Sequence, residues 1–269
     1  MTAESPHIAP DPSLEHIQMF LEAAIVPSPH SIDLSHSAAS DYLYRQVKPK
    51  PHVAELYHEN SKLIPHSTLQ IPSSTSMLEQ VRRWFFETAY RVDEETLVDK
   101  GAELRVPYDQ LPEWLQGPLN LFSKPGSLAN LLYAADLLVL HDGMLLRIVP
   151  ESDYLWIERE VKNEATLLPR LFWKSQSVRL EEYSTMLIVV ACPWRYMLLY
   201  GPRGYRHTLL DIGRLLGYFQ NWYKSYGHPV TVHQDFLDTR ADEFVQADGV
   251  ERSVYALLTF SSTTTNTDK

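Results

Sequence analysis

The run TMLIVVA at residues 185–191 is the most informative stretch of this sequence. It is continuous, apolar and rich in β-branched residues, and its length is typical of a strand that is buried on both faces. We therefore expect residues 185–191 to form a central strand. Two further strands are predicted at residues 229–234 and 253–260, joined by a polar connection around residues 238–249.

Three segments have the apolar spacing of helices. Residues 76–91, 127–140 and 208–226 each place apolar side chains three and four positions apart, and Gly227 is a natural stop for the last of them. Helices and strands in this arrangement predict an α+β protein with a mixed or antiparallel central sheet that is flanked by helices.

The chain is expected to have three parts. Residues 1–75 form a loop-rich amino-terminal arm with many Pro, Ser and His residues, residues 76–260 form the folded domain, and residues 261–269 form a disordered tail. The tail is almost devoid of apolar side chains, so burial cannot offset the entropy of ordering it.

Composition excludes several classes of function. The 269 residues are 44% hydrophobic and 22% charged, which is typical of a folded globular protein. The net charge of −10 would repel nucleic acid. No apolar run approaches the roughly 20 residues of a membrane span, and no export signal is visible, so a cytoplasmic protein that does not bind a membrane is expected. Cys192 is the sole cysteine, and the loosely spaced histidines predict no metal site.

The segment YGPRGYRH at residues 200–207 is the clearest candidate for binding chemistry. It places two arginines directly before a predicted helix, and both guanidinium groups and the N–H groups of a helix start favour phosphate. The alternative interpretation is a solvated turn whose Tyr and Arg side chains only pack and cap. Gly-rich nucleotide motifs and the usual hydrolase and zinc-protease motifs are absent from the sequence.

Three runs together resemble the SagB/McbC-type azoline dehydrogenases of the nitroreductase superfamily. They are YHENSKL at residues 57–63, LANLLYAADLL at 128–138 and YGPRGYRHTLLDIGRLLGYFQNWYKSYG at 200–227, in the order of that family. The resemblance implies a dimer-forming, FMN-dependent fold with the flavin at the subunit interface. It also implies oxidation of thiazolines and oxazolines to azoles in ribosomally made peptides.

Site residues are implied position by position. Tyr200 matches the tyrosine of the family's catalytic Lys–Tyr pair, whereas Arg203, Tyr205 and Arg206 match its cofactor-binding RGYR segment. Leu199 stands where that family has the lysine, and a leucine side chain cannot exchange a proton.

Two other family elements are altered. The nearest candidates for its early phosphate-binding RRSxR element are Arg82, Arg83 and Arg91, which lack the serine and the spacing. The PSAG-like stretch is reduced to VPES at residues 149–152, without its glycine.

Three hypotheses follow. The first is an FMN-dependent dehydrogenase that oxidises an azoline in a modified precursor peptide, as a homodimer or as a heterodimer with a related dehydrogenase. The second is a catalytically degenerate subunit that binds peptide or completes a complex with an active dehydrogenase or cyclodehydratase. The third uses no family resemblance: an acidic interaction protein whose aromatic-rich arm binds a peptide.

Overall fold

The computed structural model describes residues 57–58, 61, 75–96, 104–162, 168–172, 185–228 and 230–260. The chain divides into two compact units, Met1–Asn60 and Ser61–Lys269, and every element below belongs to the second. Most of the predicted arm and the whole of the predicted tail lie outside the described residues.

A seven-stranded sheet forms the centre of the second unit, in the order β1-β4-β3-β2-β5-β7-β6 with every neighbouring pair antiparallel. Its strands are β1 (Arg105–Pro107), β2 (Ala135–His141), β3 (Met144–Ile148), β4 (Tyr154–Glu160), β5 (Thr185–Ala191), β6 (Val230–His233) and β7 (Ser253–Phe260).

Helices cover the sheet and join its strands. The α-helices are α1 (Thr75–Thr96), α2 (Glu113–Leu119), α3 (Pro193–Tyr200), α4 (Gly204–Ser225) and α5 (Asp238–Val245). Short 3₁₀ helices span Tyr108–Gln110, Asn120–Ser123, Ala129–Tyr133, Leu168–Leu171 and Gly201–Arg203.

Strand β5 lies at the middle of the sheet between β2 and β7, and all seven of its residues are buried. Leu187 and Val189 pack in the core on one face of the sheet, with Phe219 of α4. Ile188 and Val190 pack in the core on the other face, which α5 covers. The structure confirms the predicted central strand, and the core lies on both of its faces. Complete burial of one such side chain contributes about 1.5–3 kcal/mol to stability.

The predicted helix at residues 127–140 is wrong. The chain forms a 3₁₀ helix at Ala129–Tyr133 and then enters strand β2. Ala135 to Leu140 are all buried, because helices cover both faces of the sheet at this strand. A strand that is apolar on both sides satisfies any apolar periodicity, so the spacing could not distinguish it from a buried helix.

The predicted polar connection at residues 238–249 is also wrong in part, because α5 occupies Asp238–Val245. Its Ala241, Phe244 and Val245 are buried against the sheet. The helix has barely two turns and half of its residues are charged, so its amphipathic pattern is too short to be recognised in the sequence. The predicted helix at residues 76–91 and the strand at 253–260 are confirmed.

Candidate functional site

The candidate site is the turn between helices α3 and α4, which are joined by the 3₁₀ turn Gly201–Arg203. Gly201 has a φ of +57°, a conformation that favours glycine. A Cβ atom at Gly204 would lie within 3.0 Å of backbone atoms of Tyr196 and Met197. Both glycines of the GPRG segment are therefore required by the structure. Gly201 permits the turn, and Gly204 permits the close approach of the two helices.

Helix α4 begins one turn earlier than the sequence predicts. It starts at Gly204 instead of Thr208, and the Thr208 hydroxyl donates a hydrogen bond to the Gly204 carbonyl at 3.2 Å inside the helix. Tyr205 and Arg206 consequently lie in the first helical turn. The close packing of Gly204 against the backbone of α3 allows this early start. The helix propensity of glycine does not indicate it.

Tyr200 ends helix α3 and is half-buried. Its ring lies 4.5 Å from the ring of His207 and 6.0 Å from that of Tyr196, measured between centroids. Burial raises the pKa of Tyr200, although the Arg82 charge opposes this. Tyr200 is therefore protonated at neutral pH and can donate a proton or a hydrogen bond.

His207 lies beside Tyr200 and was given no role from the sequence. Burial and the nearby Arg203 charge lower the pKa of His207, with a smaller opposing effect from Asp211. The imidazole is consequently neutral at pH 7. It packs against Tyr200 with the two ring planes tilted by 34°, so its position restricts the tyrosine ring, and its neutral form is able to accept a proton.

The three predicted cofactor residues have different surroundings. Arg203 is half-buried and donates a hydrogen bond to the Ser61 carbonyl at 3.2 Å. The Tyr205 hydroxyl lies 2.9 Å from the Tyr255 hydroxyl of β7. Arg206 is half-exposed in the first turn of α4.

A hydrogen-bonded network beneath the turn was missed by the sequence reasoning. The Tyr196 hydroxyl donates to Asp211 at 2.5 Å and accepts a hydrogen bond from Arg82. The Arg214 guanidinium lies 3.2 Å from the other Asp211 oxygen. Burial and the Asp211 charge raise the pKa of Tyr196. Arg82, considered from the sequence as a phosphate ligand, is thus held by the protein, linking α1 to α3 and α4.

A second network fixes the other end of α3. Asp136 of β2 is 4% exposed and receives Arg195 at 2.9 Å and Arg252 at 3.1 Å. The two arginine charges lower the pKa of Asp136 against the opposing effect of burial, which is the largest single influence. Burial raises the pKa of Cys192 to about 12, and the Asp136 charge adds to the effect. Cys192 is therefore a buried core thiol.

The side chains present at the turn fit a phosphate group. A guanidinium carries five N–H donors, and Arg203 uses one on Ser61. Arg203 and Arg206 flank the start of α4, where the helix dipole also favours an anion. These two arginines would hold the phosphate of FMN, and Tyr200 and His207 are titratable groups at the same turn.

The altered family elements also have defined places. Leu199 is half-buried and packs against the aromatic cluster around Tyr196. Position 199, where the resembled family has a lysine, therefore carries no group that can transfer a proton. Residues 149–152 form the turn between β3 and β4, where Glu151 adopts a φ of +62°.

Among the described residues, no group of three or more His, Cys, Asp or Glu side chains is placed to hold a metal ion. None of the helices in that part of the chain combines the length and the apolar character needed to cross a bilayer.

Comparisons with known proteins give structural neighbours only. No family model matches the sequence, and no curated protein matches it. A candidate nitroreductase of Anabaena variabilis superposes with a TM-score of 0.53 at 18% identity, over 77% of this chain and 45% of that one. This chain therefore spans less than half the length of that neighbour.

Two further structures have lower TM-scores. The Escherichia coli microcin synthetase McbBCD complex with truncated pro-MccB17 bound gives 0.48 at 15% identity, over 90% of this chain and 96% of the matched chain. A candidate nitroreductase of Ralstonia eutropha gives 0.43 at 14% identity, over 75% and 87%. The antiparallel sheet with helices on both faces and the Anabaena neighbour together establish that this chain has a nitroreductase-like α+β fold.

Proposed function

We propose that this protein is an FMN-dependent dehydrogenase of ribosomal peptide biosynthesis, which oxidises an azoline in a modified precursor peptide to an azole. The observation that carries the proposal is the turn between α3 and α4. It joins Tyr200 at the end of α3 to Arg203 and Arg206 at the start of α4, in a nitroreductase-like fold. The ordered sequence motifs support the choice of this family within that fold.

Bound FMN would supply the hydride acceptor for the oxidation. The chain's own residues would bind the FMN and orient the substrate ring. Arg203 and Arg206 bind the phosphate, and Gly204 holds α4 against α3 so that their backbone positions are fixed. The ring loses a proton as well as a hydride; the protonated Tyr200 hydroxyl would take up that proton while passing its own to neutral His207, the adjoining group that can accept one, and His207 also keeps the Tyr200 ring in position.

The proposal includes a dimer. Seven large apolar side chains are exposed among the described residues of α1, α3 and α4, which pack against one another around the turn. They are Met77, Trp84, Trp194, Met197, Leu198, Leu209 and Leu210, and we call them the exposed apolar helix surface. Leu198 is 75% and Leu210 65% exposed. Exposed apolar side chains on neighbouring helices favour an interaction surface, and a second copy or a related dehydrogenase subunit would cover them.

A second candidate is the catalytically degenerate subunit, which binds peptide or completes a complex. It is favoured by Leu199, whose side chain packs in the aromatic cluster, and by Arg82, which is held by Tyr196 and Asp211 instead of facing a ligand. In this case the same turn has only a packing role.

The test uses the full-length protein, FMN and an azoline-containing peptide, with mass spectrometry as the readout. The proposal predicts the loss of two hydrogen atoms per ring, dependent on added or retained FMN. Folded protein that leaves the azoline unchanged, but raises the rate of an active dehydrogenase when mixed with it, would establish the second candidate instead.

A further inference from the structure

A groove of about 560 Å³ lies on the other face of the sheet from α4, away from the turn. Three elements form it: strand β4, the 3₁₀ helix Leu168–Leu171 and helix α5. Its lining residues are Arg159, Arg170, Leu171, Arg240, Glu243 and Phe244, and we call this the arginine groove.

The arginine groove is positively charged in a protein of net charge −10. Three arginines and one glutamate give it a formal charge of +2. Elsewhere in the described chain, arginines such as Arg82, Arg147 and Arg195 form ion pairs with carboxylates. Within the same described residues, the three groove arginines form none.

The protein holds these arginines by backbone contacts. Arg159 donates to the Phe244 carbonyl, and its guanidinium lies 5.2 Å from the Phe244 ring centroid. Arg240 donates to the Arg170 carbonyl at 3.1 Å. Such contacts orient a guanidinium without neutralising it, and the remaining N–H donors keep their capacity for an anion.

The base of the groove is apolar. Leu171 is 3% and Phe244 7% exposed, and both belong to the core on this face of the sheet. An inorganic phosphate would gain nothing from this apolar base, and its charge would have to be shared by arginines that stand on three different elements. A peptide with several carboxylates can reach all three arginines, and an apolar side chain between them would meet the small exposed edges of Leu171 and Phe244.

We propose that the arginine groove is a docking site for an acidic peptide segment with interspersed apolar residues. The site stands on its own residues and does not depend on flavin binding or on the chemistry proposed at the turn. A dehydrogenase and a degenerate subunit could both use it.

Fluorescence anisotropy of a short fluorescein-labelled peptide, in which glutamates alternate with leucine and serine, tests the site on the full-length protein. The wild type should bind, more weakly as salt rises to about 0.15 M. The double variant Arg170→Gln/Arg240→Gln alters two exposed side chains and should bind at least about tenfold more weakly, because charge-assisted hydrogen bonds are lost.

The matched control is Lys124→Gln/Lys224→Gln, which removes the same charge at exposed positions outside the groove and should leave binding within about twofold. A peptide with lysine in place of glutamate should not bind the wild type, a comparison that needs no variant. The proposal is overturned if the acidic peptide fails to bind, or if Arg170→Gln/Arg240→Gln binds it equally well. Displacement of the peptide by inorganic phosphate at equal concentration would assign the groove to phosphate and also overturn it.

Discussion

Tyr200 is the side chain on which the proposed chemistry depends most directly. Its ring is fixed by His207, and its raised pKa keeps the hydroxyl protonated. Tyr200→Phe should lower turnover by at least about 10²-fold while flavin is retained, since general acid–base catalysis contributes that much. Tyr226→Phe, at an exposed position at the other end of α4, should not change turnover. Equal rates for both variants would remove Tyr200 from the mechanism.

Asp136 is the residue that should matter most for stability. Asp136→Asn leaves Arg195 buried without its carboxylate and should destabilise the protein by about 3–5 kcal/mol. Glu158→Gln removes the partner of Arg147 at a more exposed site and should cost less than about 1 kcal/mol. Chemical denaturation monitored by fluorescence gives both values, and similar losses for the two variants would contradict the assignment.

The lowered pKa of Asp136 also determines the direction in which folding stability changes with pH. Its contribution is present above the pKa of the unfolded state and is lost as the pH falls through the lower pKa of the folded state. The free energy of unfolding of the wild type should therefore fall more steeply in acid than that of Asp136→Asn. The sequence gives no hint of this pair, since Asp136 lies within an apolar run and Arg195 is 59 positions away.

At the scale of elements, the contact between α3 and α4 is the feature that builds the site. Gly204→Ala would push a methyl group into the backbone of Tyr196 and Met197 and should destabilise the fold by roughly 1–3 kcal/mol. Gly213→Ala, in the same helix with open space around it, should instead stabilise by about 0.5–1 kcal/mol. Thermal unfolding of the two variants measures the difference in sign, and a neutral Gly204→Ala would show that the helices can separate.

Elements whose composition and apolar pattern agree could be predicted from the sequence, and those in which the two disagree or the pattern is short could not. Strand β5 is apolar throughout, and α4 has a long apolar stripe, so both were predicted. Strand β2 is buried on both faces like β5, but its alanine and leucines favour a helix where β5 has β-branched residues, so β2 was mistaken for a helix. Helix α5 was missed because only one narrow side of it reaches the core.

The candidate site divides in the same way. Tyr200 and the arginines of the turn are adjacent in sequence and could be found as a motif. The partners that hold the turn come from distant segments: Arg82 lies on α1, and Tyr255 lies on β7. Long-range pairing of this kind depends on the topology of the sheet and cannot be read from local spacing.

At the scale of the whole molecule, the exposed apolar helix surface predicts self-association or association with a related subunit. We expect the wild-type protein to sediment as a dimer in analytical ultracentrifugation. Leu198→Glu/Leu210→Glu should shift it to monomer, because charges placed in an apolar interface lose their hydration. Val250→Glu changes an exposed apolar side chain elsewhere and serves as the control. A wild-type monomer that also remains monomeric with FMN and a related dehydrogenase would contradict this prediction.

Flavin retention tests the central claim most directly. The visible absorption spectrum is recorded after excess FMN has been added and the unbound fraction removed, for the wild type, Arg203→Ala and the control Lys224→Ala. We expect near-stoichiometric flavin bands for the wild type and the control. Arg203→Ala should lose most of its flavin, because each charge-assisted phosphate contact contributes roughly 1.5–3 kcal/mol. A folded wild-type protein that retains no FMN, or an Arg203→Ala variant that retains all of it, would contradict flavin binding at this turn.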